Sequence, residues 1–107
     1  MSAFNTDRKV YKNPATTTVA STTIALYTIT SGRKFRPTSI IIANPNAITN
    51  VSIIDNATTK IVVTAPANNN VILNDMDLKG TYFEQGIVNA LCATGGTVSI
   101  SIAGYEE

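Results

Sequence analysis

Residues 87–103 read IVNALCATGGTVSISIA. Val98, Ile100 and Ile102 alternate with Thr97, Ser99 and Ser101. This period of two belongs to a strand that is dry on one face and wet on the other. Residues 87–93 form an apolar run, and Thr94-Gly95-Gly96 separates the two halves. Paired glycines adopt the positive φ angles that tight hairpin turns demand, so the segment reads as a β-hairpin of strands 87–93 and 97–103.

The same punctuation recurs upstream. Ser31-Gly32, Asn44-Pro45-Asn46, Asp55-Asn56 and Pro66-Ala67-Asn68-Asn69 divide the chain into further strands at 15–20, 22–30, 33–44, 48–54, 59–65 and 70–75. Pro37 lies inside 33–44 and, having no N–H for the ladder, marks an edge, bend or bulge there. Residues 75–85 form a longer connection. About eight strands at spacings near 8–12 residues, with no stretch suited to an amphipathic helix, indicate a sandwich or barrel. The fold class expected is all-β: a two-sheet antiparallel β-sandwich, jelly-roll-like, spanning residues 15–107. An immunoglobulin-type domain would call for a core Trp and paired Cys, whereas the chain has no Trp and one Cys. Residues 1–14 are polar and read as an N-terminal arm ended by Pro14, with Val10 and Tyr11 as anchors. Such an arm lacks the apolar content to fold alone and is expected to order on a partner.

Composition agrees. Thr, Ile and Val supply 16, 13 and 8 of the 107 residues against 4 Leu, and side chains branched at Cβ suit a pleated surface better than a helix. Asn, a turn former, occurs 11 times. A chain of this size buries roughly 65% of its unfolded surface, enough for one core without disulfides or metal. The lone Cys92 excludes an intramolecular disulfide and, inside an apolar run, reads as a buried inert thiol.

The chemistry of catalysis is missing from the sequence. There is no His, so the usual general base and commonest metal ligand is absent. One thiol cannot make a cysteine zinc site. Gly95-Gly96 joins two strands rather than a strand and a helix, which argues against a phosphate cradle. Asp75 and Asp77 could be bridged by calcium only if they shared a strand face, and they read as solvated loop acids. Neither an enzyme nor any cofactor is expected. A net charge of +1, with Arg8-Lys9-Lys12 and Arg33-Lys34-Arg36 as two small basic groups, argues against nucleic-acid or membrane-surface partners. No apolar run approaches the ~20 residues of a membrane helix.

Several strands are apolar on both faces: Ile40-Ile41-Ile42, Ile53-Ile54, Ile61-Val62-Val63, Val71-Ile72-Leu73 and Ile87-Val88. A two-layer sandwich turns one face of each strand to water, so such strands ask for cover by a partner, most economically further copies of the chain. Ile41, with Tyr82 and Phe83 in the long connection, are the residues expected at oligomer or partner contacts. Tyr82-Phe83 is also the best candidate for stacking a sugar, the basis of an alternative reading as a carbohydrate-binding or host-adhesion module of a tail or fibre.

Residues 28–107 resemble small virion proteins of tailed bacteriophages. The likeness is carried by the segment ITSGRKFRPTSIIIANPN (29–46), the connection LKGTYFEQGIVNAL (78–91) and the closing GTVSISIAGYEE (96–107) with its acidic tail. The resemblance implies a jelly-roll domain, often trimeric, that decorates or cements the capsid or belongs to a head or tail fibre. It implies the major capsid protein or another virion protein as partner, a place on the capsid surface, and synthesis in the host cytoplasm.

Overall fold

The computed structural model describes residues 11–12, 17–74, 76–78, 80–93 and 96–107. Among the described residues nine strands follow one another: β1 (Tyr11–Lys12), β2 (Thr17–Val19), β3 (Ile24–Thr28), β4 (Phe35–Asn44), β5 (Thr49–Asp55), β6 (Thr58–Ala65), β7 (Asn69–Leu73), β8 (Ile87–Cys92) and β9 (Val98–Glu106). No helix occurs among the described residues. The arm expected over 1–14 lies outside them except for Tyr11 and Lys12, which pair with Gly104 and Ala103.

The antiparallel pairs nest. Innermost is the β5–β6 hairpin, closed at Asp55 and Thr58, with Asn56 in left-handed backbone at φ 57°. Asn takes that conformation more readily than most residues. Around it β4 pairs β7, β3 pairs β8, and β2 pairs β9. Successive pairs alternate between two sheets, and β4–β9 and β5–β8 knit each sheet together. One sheet has the order β1/β2–β9–β4–β7, with β1 and β2 sharing one edge of β9; the other runs β3–β8–β5–β6. This is a jelly-roll sandwich with four strand positions in each layer.

The nesting overturns the hairpin expected over 87–103. β8 lies between β3 and β5 in one sheet, and β9 lies between β1/β2 and β4 in the other. Each strand thereby has both edges paired within its own sheet, and their apolar faces meet across the core instead of lying side by side. Gly96 does adopt a positive φ, 96°, but in a connection that crosses between layers. The alternation itself holds: Val98, Ile100 and Ile102 face Val88, Ala90 and Cys92 across a single core.

Phe35, Phe83, Ile40, Ile42, Ile53 and Leu78 are the largest side chains in that core. Burying each stabilises the fold by about 1.5–3 kcal/mol relative to exposure. Two bulges adjust what the core receives. One lies between Ile53 and Ile54 against β6: Ile53 stays in the core with Val51, while Ile54, opposite Asn89 on β8, is buried outside that cluster. The other falls between Pro37 and Ser39, as the proline leads one to expect. There Pro37 faces Gly104, and a Cβ on Gly104 would overlap the Arg36 carbonyl. Gly104→Ala is therefore expected to lower the unfolding free energy by about 1–3 kcal/mol, the usual cost of overpacking. Urea denaturation followed by far-ultraviolet circular dichroism measures it, and unchanged stability would mean that β4 moves aside freely.

Candidate functional site

The outer face of the β1/β2–β9–β4–β7 sheet follows from the phase of its strands. With Val98, Ile100 and Ile102 inward, β9 turns Ser99, Ser101, Ala103 and Tyr105 outward. The ladder sets Ala43 between Ser99 and Asn70, Ile41 between Ser101 and Ile72, and Arg36 beside Tyr105. Ile41 is 40% exposed and Ile72 63%, so two cross-strand neighbours form an apolar pair on a face of small uncharged side chains. Val62, 61% exposed, stands on the other sheet. The expected excess of outward aliphatics thus reduces, within those five runs, mainly to Ile41, Val62 and Ile72.

At one end of this face the charges gather. The Arg36 guanidinium lies 5.7 Å from the centre of the Tyr82 ring and 5.8 Å from that of Tyr105, and it pairs with Glu107. Lys34 Nζ lies 5.5 Å from the Tyr82 ring and 3.9 Å from Glu84. Cation–π contacts at such exposure contribute about 0.5–1 kcal/mol each, and surface ion pairs no more. Opposite, a pocket of about 380 Å³ is lined by Ala43, Asn44, Pro45, Asn68–Asn70 and Ser99, with no charged group among them.

Of the residues expected at contacts, Ile41 and Tyr82 reach this surface. Phe83 does not. It is wholly buried, and its amide and carbonyl exchange 2.8 Å bonds with those of Phe35. Adjacent residues of an extended segment point to opposite sides, so Tyr82 faces out while Phe83 plugs the end of the core. Tyr82-Phe83 therefore offers no two-ring platform. Asp77 Oδ2 accepts the Asn74 amide in a turn, while Asp75 lies outside the described residues, as do Arg8 and Lys9. Among the described residues no three His, Cys, Asp or Glu side chains gather where an ion could be held.

Three polar anchors that sequence reasoning missed hold this surface in place. Asn44 is buried: its amide donates to the carbonyls of Ala47, Ala65 and Pro66, and its oxygen accepts from Asn46 N. Asp55, also buried, accepts the amides of Glu84 and Gln85 and so fixes the connection that presents Tyr82. Glu106 is 6% exposed, where an acidic tail was expected. Its carboxylate accepts from the Tyr27 hydroxyl and the Thr30 amide of the facing layer. Alternation carried to the strand ends finds Asn44, in phase with Ile40 and Ile42, and Glu106, in phase with Ile100 and Ile102. Asp55 is found the same way, in phase with Val51 and Ile53.

Burial works against ionising Glu106, but bonds from Tyr27 and Thr30 and the Arg33 charge outweigh it, and the carboxyl pKa falls below its ordinary 4.5. The folded protein therefore holds this proton less tightly than the unfolded chain. The stability contributed is full above about pH 4.5 and is lost as pH falls through the lowered folded value. Glu106→Gln should cost about 1–3 kcal/mol at neutral pH and flatten the acid limb of stability against pH, read by urea titration at several pH values. An unchanged acid limb would assign that limb to other carboxylates. No protein-family model matches this chain, and no curated protein matches it.

Proposed function

We propose that the chain is a non-enzymatic virion structural protein that decorates or cements a bacteriophage capsid, binding the lattice of the major capsid protein as a homo-oligomer. The observation that carries this reading is the outer face of the β1/β2–β9–β4–β7 sheet. Ile41 and Ile72 stand there among Ser99, Ser101, Ala43 and Asn70, with no charged side chain in that part of the ladder. A low-relief neutral surface with an apolar pair suits packing against protein better than it suits water. The jelly-roll connectivity agrees with the fold that the resemblance of residues 28–107 implies. The carbohydrate-binding alternative is weakened by Phe83, which is interior, and by Tyr82, whose ring already carries Lys34 and Arg36.

Capsids assembled without this chain are expected to take up the purified protein to a saturating, stoichiometric level in co-sedimentation. Replacing both Ile41 and Ile72 by Ser should weaken that uptake while leaving the circular dichroism spectrum unchanged. Absence of uptake, with glycan binding that disappears on Tyr82→Ala, would reverse the preference between the two readings.

A further inference from the structure

The two sheets expose four edges, and three of them carry a feature that discourages pairing with another chain. The β1/β2 edge does not keep one register along β9, four residues separating Lys12 from Thr17 where two separate Ile100 from Ala103. β3 is interrupted by a bulge between Ala25 and Tyr27. β6 carries Lys60. Short strands, bulges and lysines are the usual protections of a sheet edge. β7 has none of these: Asn69-Asn70-Val71-Ile72-Leu73 keeps an unbroken register on β4 and contains no charge and no proline.

The free side of β7 can be assigned residue by residue. Asn70 N donates to the Asn69 side chain at 2.8 Å, which places that N–H on the side away from β4. In an antiparallel ladder the main-chain groups of alternate residues point the same way, so the N–H and C=O of Ile72 share that side. Ile72 thus combines unpaired edge groups with a side chain that is 63% exposed and adjoins Ile41.

We propose that β7 is a self-association edge that pairs antiparallel with β7 of a second copy of this chain, extending the two sheets into one across a two-fold axis. Centred on Val71, the pairing lets Asn70 and Ile72 of each copy exchange main-chain hydrogen bonds with Ile72 and Asn70 of the other. The Asn69 cap on Asn70 N is released as they form. The two Ile72 side chains become diagonal neighbours on one face, joining both Ile41–Ile72 pairs into a single apolar strip. A second copy is the fitting occupant because the segment is neutral and self-complementary. Asn68, Asn69, Asn70 and Ile72 offer no charge for a charged partner to match, and Lys34, Arg36, Glu84 and Glu107 lie at the opposite end of the sheet. A five-residue edge buries less than the ~800 Å² per partner of a standard interface, so the pairing is weak and concentration-dependent, of a kind that crowding on a repeating lattice favours. This inference deepens the homo-oligomer part of the proposed function and departs from the resemblance in symmetry: identical edges meeting antiparallel give a dimer, not a trimer.

Sedimentation equilibrium from micromolar to millimolar protein tests it. The expected result is reversible growth from the 11.3 kDa chain to twice that mass, accompanied by concentration-dependent slowing of hydrogen exchange at the Ile72 amide. Ile72→Lys should remain monomeric throughout, with an unchanged circular dichroism spectrum and melting curve. Val62→Lys, an equally exposed substitution on the other sheet, should dimerise like the parent. A monomer at all concentrations, a trimer, or a dimer that survives Ile72→Lys would overturn the proposal. Capsid uptake of the parent chain, measured separately, distinguishes the two readings: uptake of a protein that stays monomeric in solution sinks this edge alone, and a dimer that capsids do not take up sinks the virion reading alone.

Discussion

Pairing of β4 with β9 joins segments that are 65 residues apart at Thr38 and Ala103, and β5 to β8 are arranged inside the loop it closes. The β5–β6 hairpin is local in sequence, whereas Ile40 meets Ile102 and Ile42 meets Ile100 across the whole of that loop. Closing so long a loop costs entropy that only the completed core offsets. Folding dominated by such distant pairings is slow for its size. It also explains the placement of the polar anchors. Asn44 terminates β4 and Glu106 terminates β9, each at a strand end that no short hairpin secures, while Asp55 stands at the β5–β6 turn and ties it to the amides of Glu84 and Gln85.

What the sequence reveals is local. Thr97 to Ala103 shows its alternation without ambiguity, Pro37 announces its bulge, and the turn clusters separate strands close to where they end. Which strand lies beside which is a different matter. Gly95-Gly96 signals backbone freedom and says nothing about whether the chain turns back within a sheet or crosses to the other. The faces are legible where the period holds, and β5 keeps Val51, Ile53 and Asp55 in phase through its bulge against β6; what the period does not reveal is that Ile54, off that phase, is buried as well. Ile41 could be found as an outward aliphatic because its strand is regular. Tyr82 and Phe83 looked like a pair because they are adjacent, and being adjacent in an extended segment is what separates them.

Charge is distributed to match. Lys34, Arg36, Glu84 and Glu107 offset one another at one end of the first sheet, interleaved with Tyr82 and Tyr105. The middle of that face and the β7 edge are left neutral, polar through amides and hydroxyls that accept many partners. The basic cluster Arg33-Lys34-Arg36 therefore acts within the molecule: Arg33 bears on Glu106, and its two neighbours bear on acids and rings nearby.

β9 occupies an inner position of its sheet and runs to within one residue of the chain's last, Glu107, whose main chain exchanges hydrogen bonds with Lys34. A load applied at the C-terminal end acts along the axis of a strand bonded on both sides. The ladders to β4 and to β1/β2 are then strained together in shear, rather than opened one rung at a time. Anything tethered at that end would be held by a strand loaded in shear on both sides, whereas a pull on β7 would peel an edge.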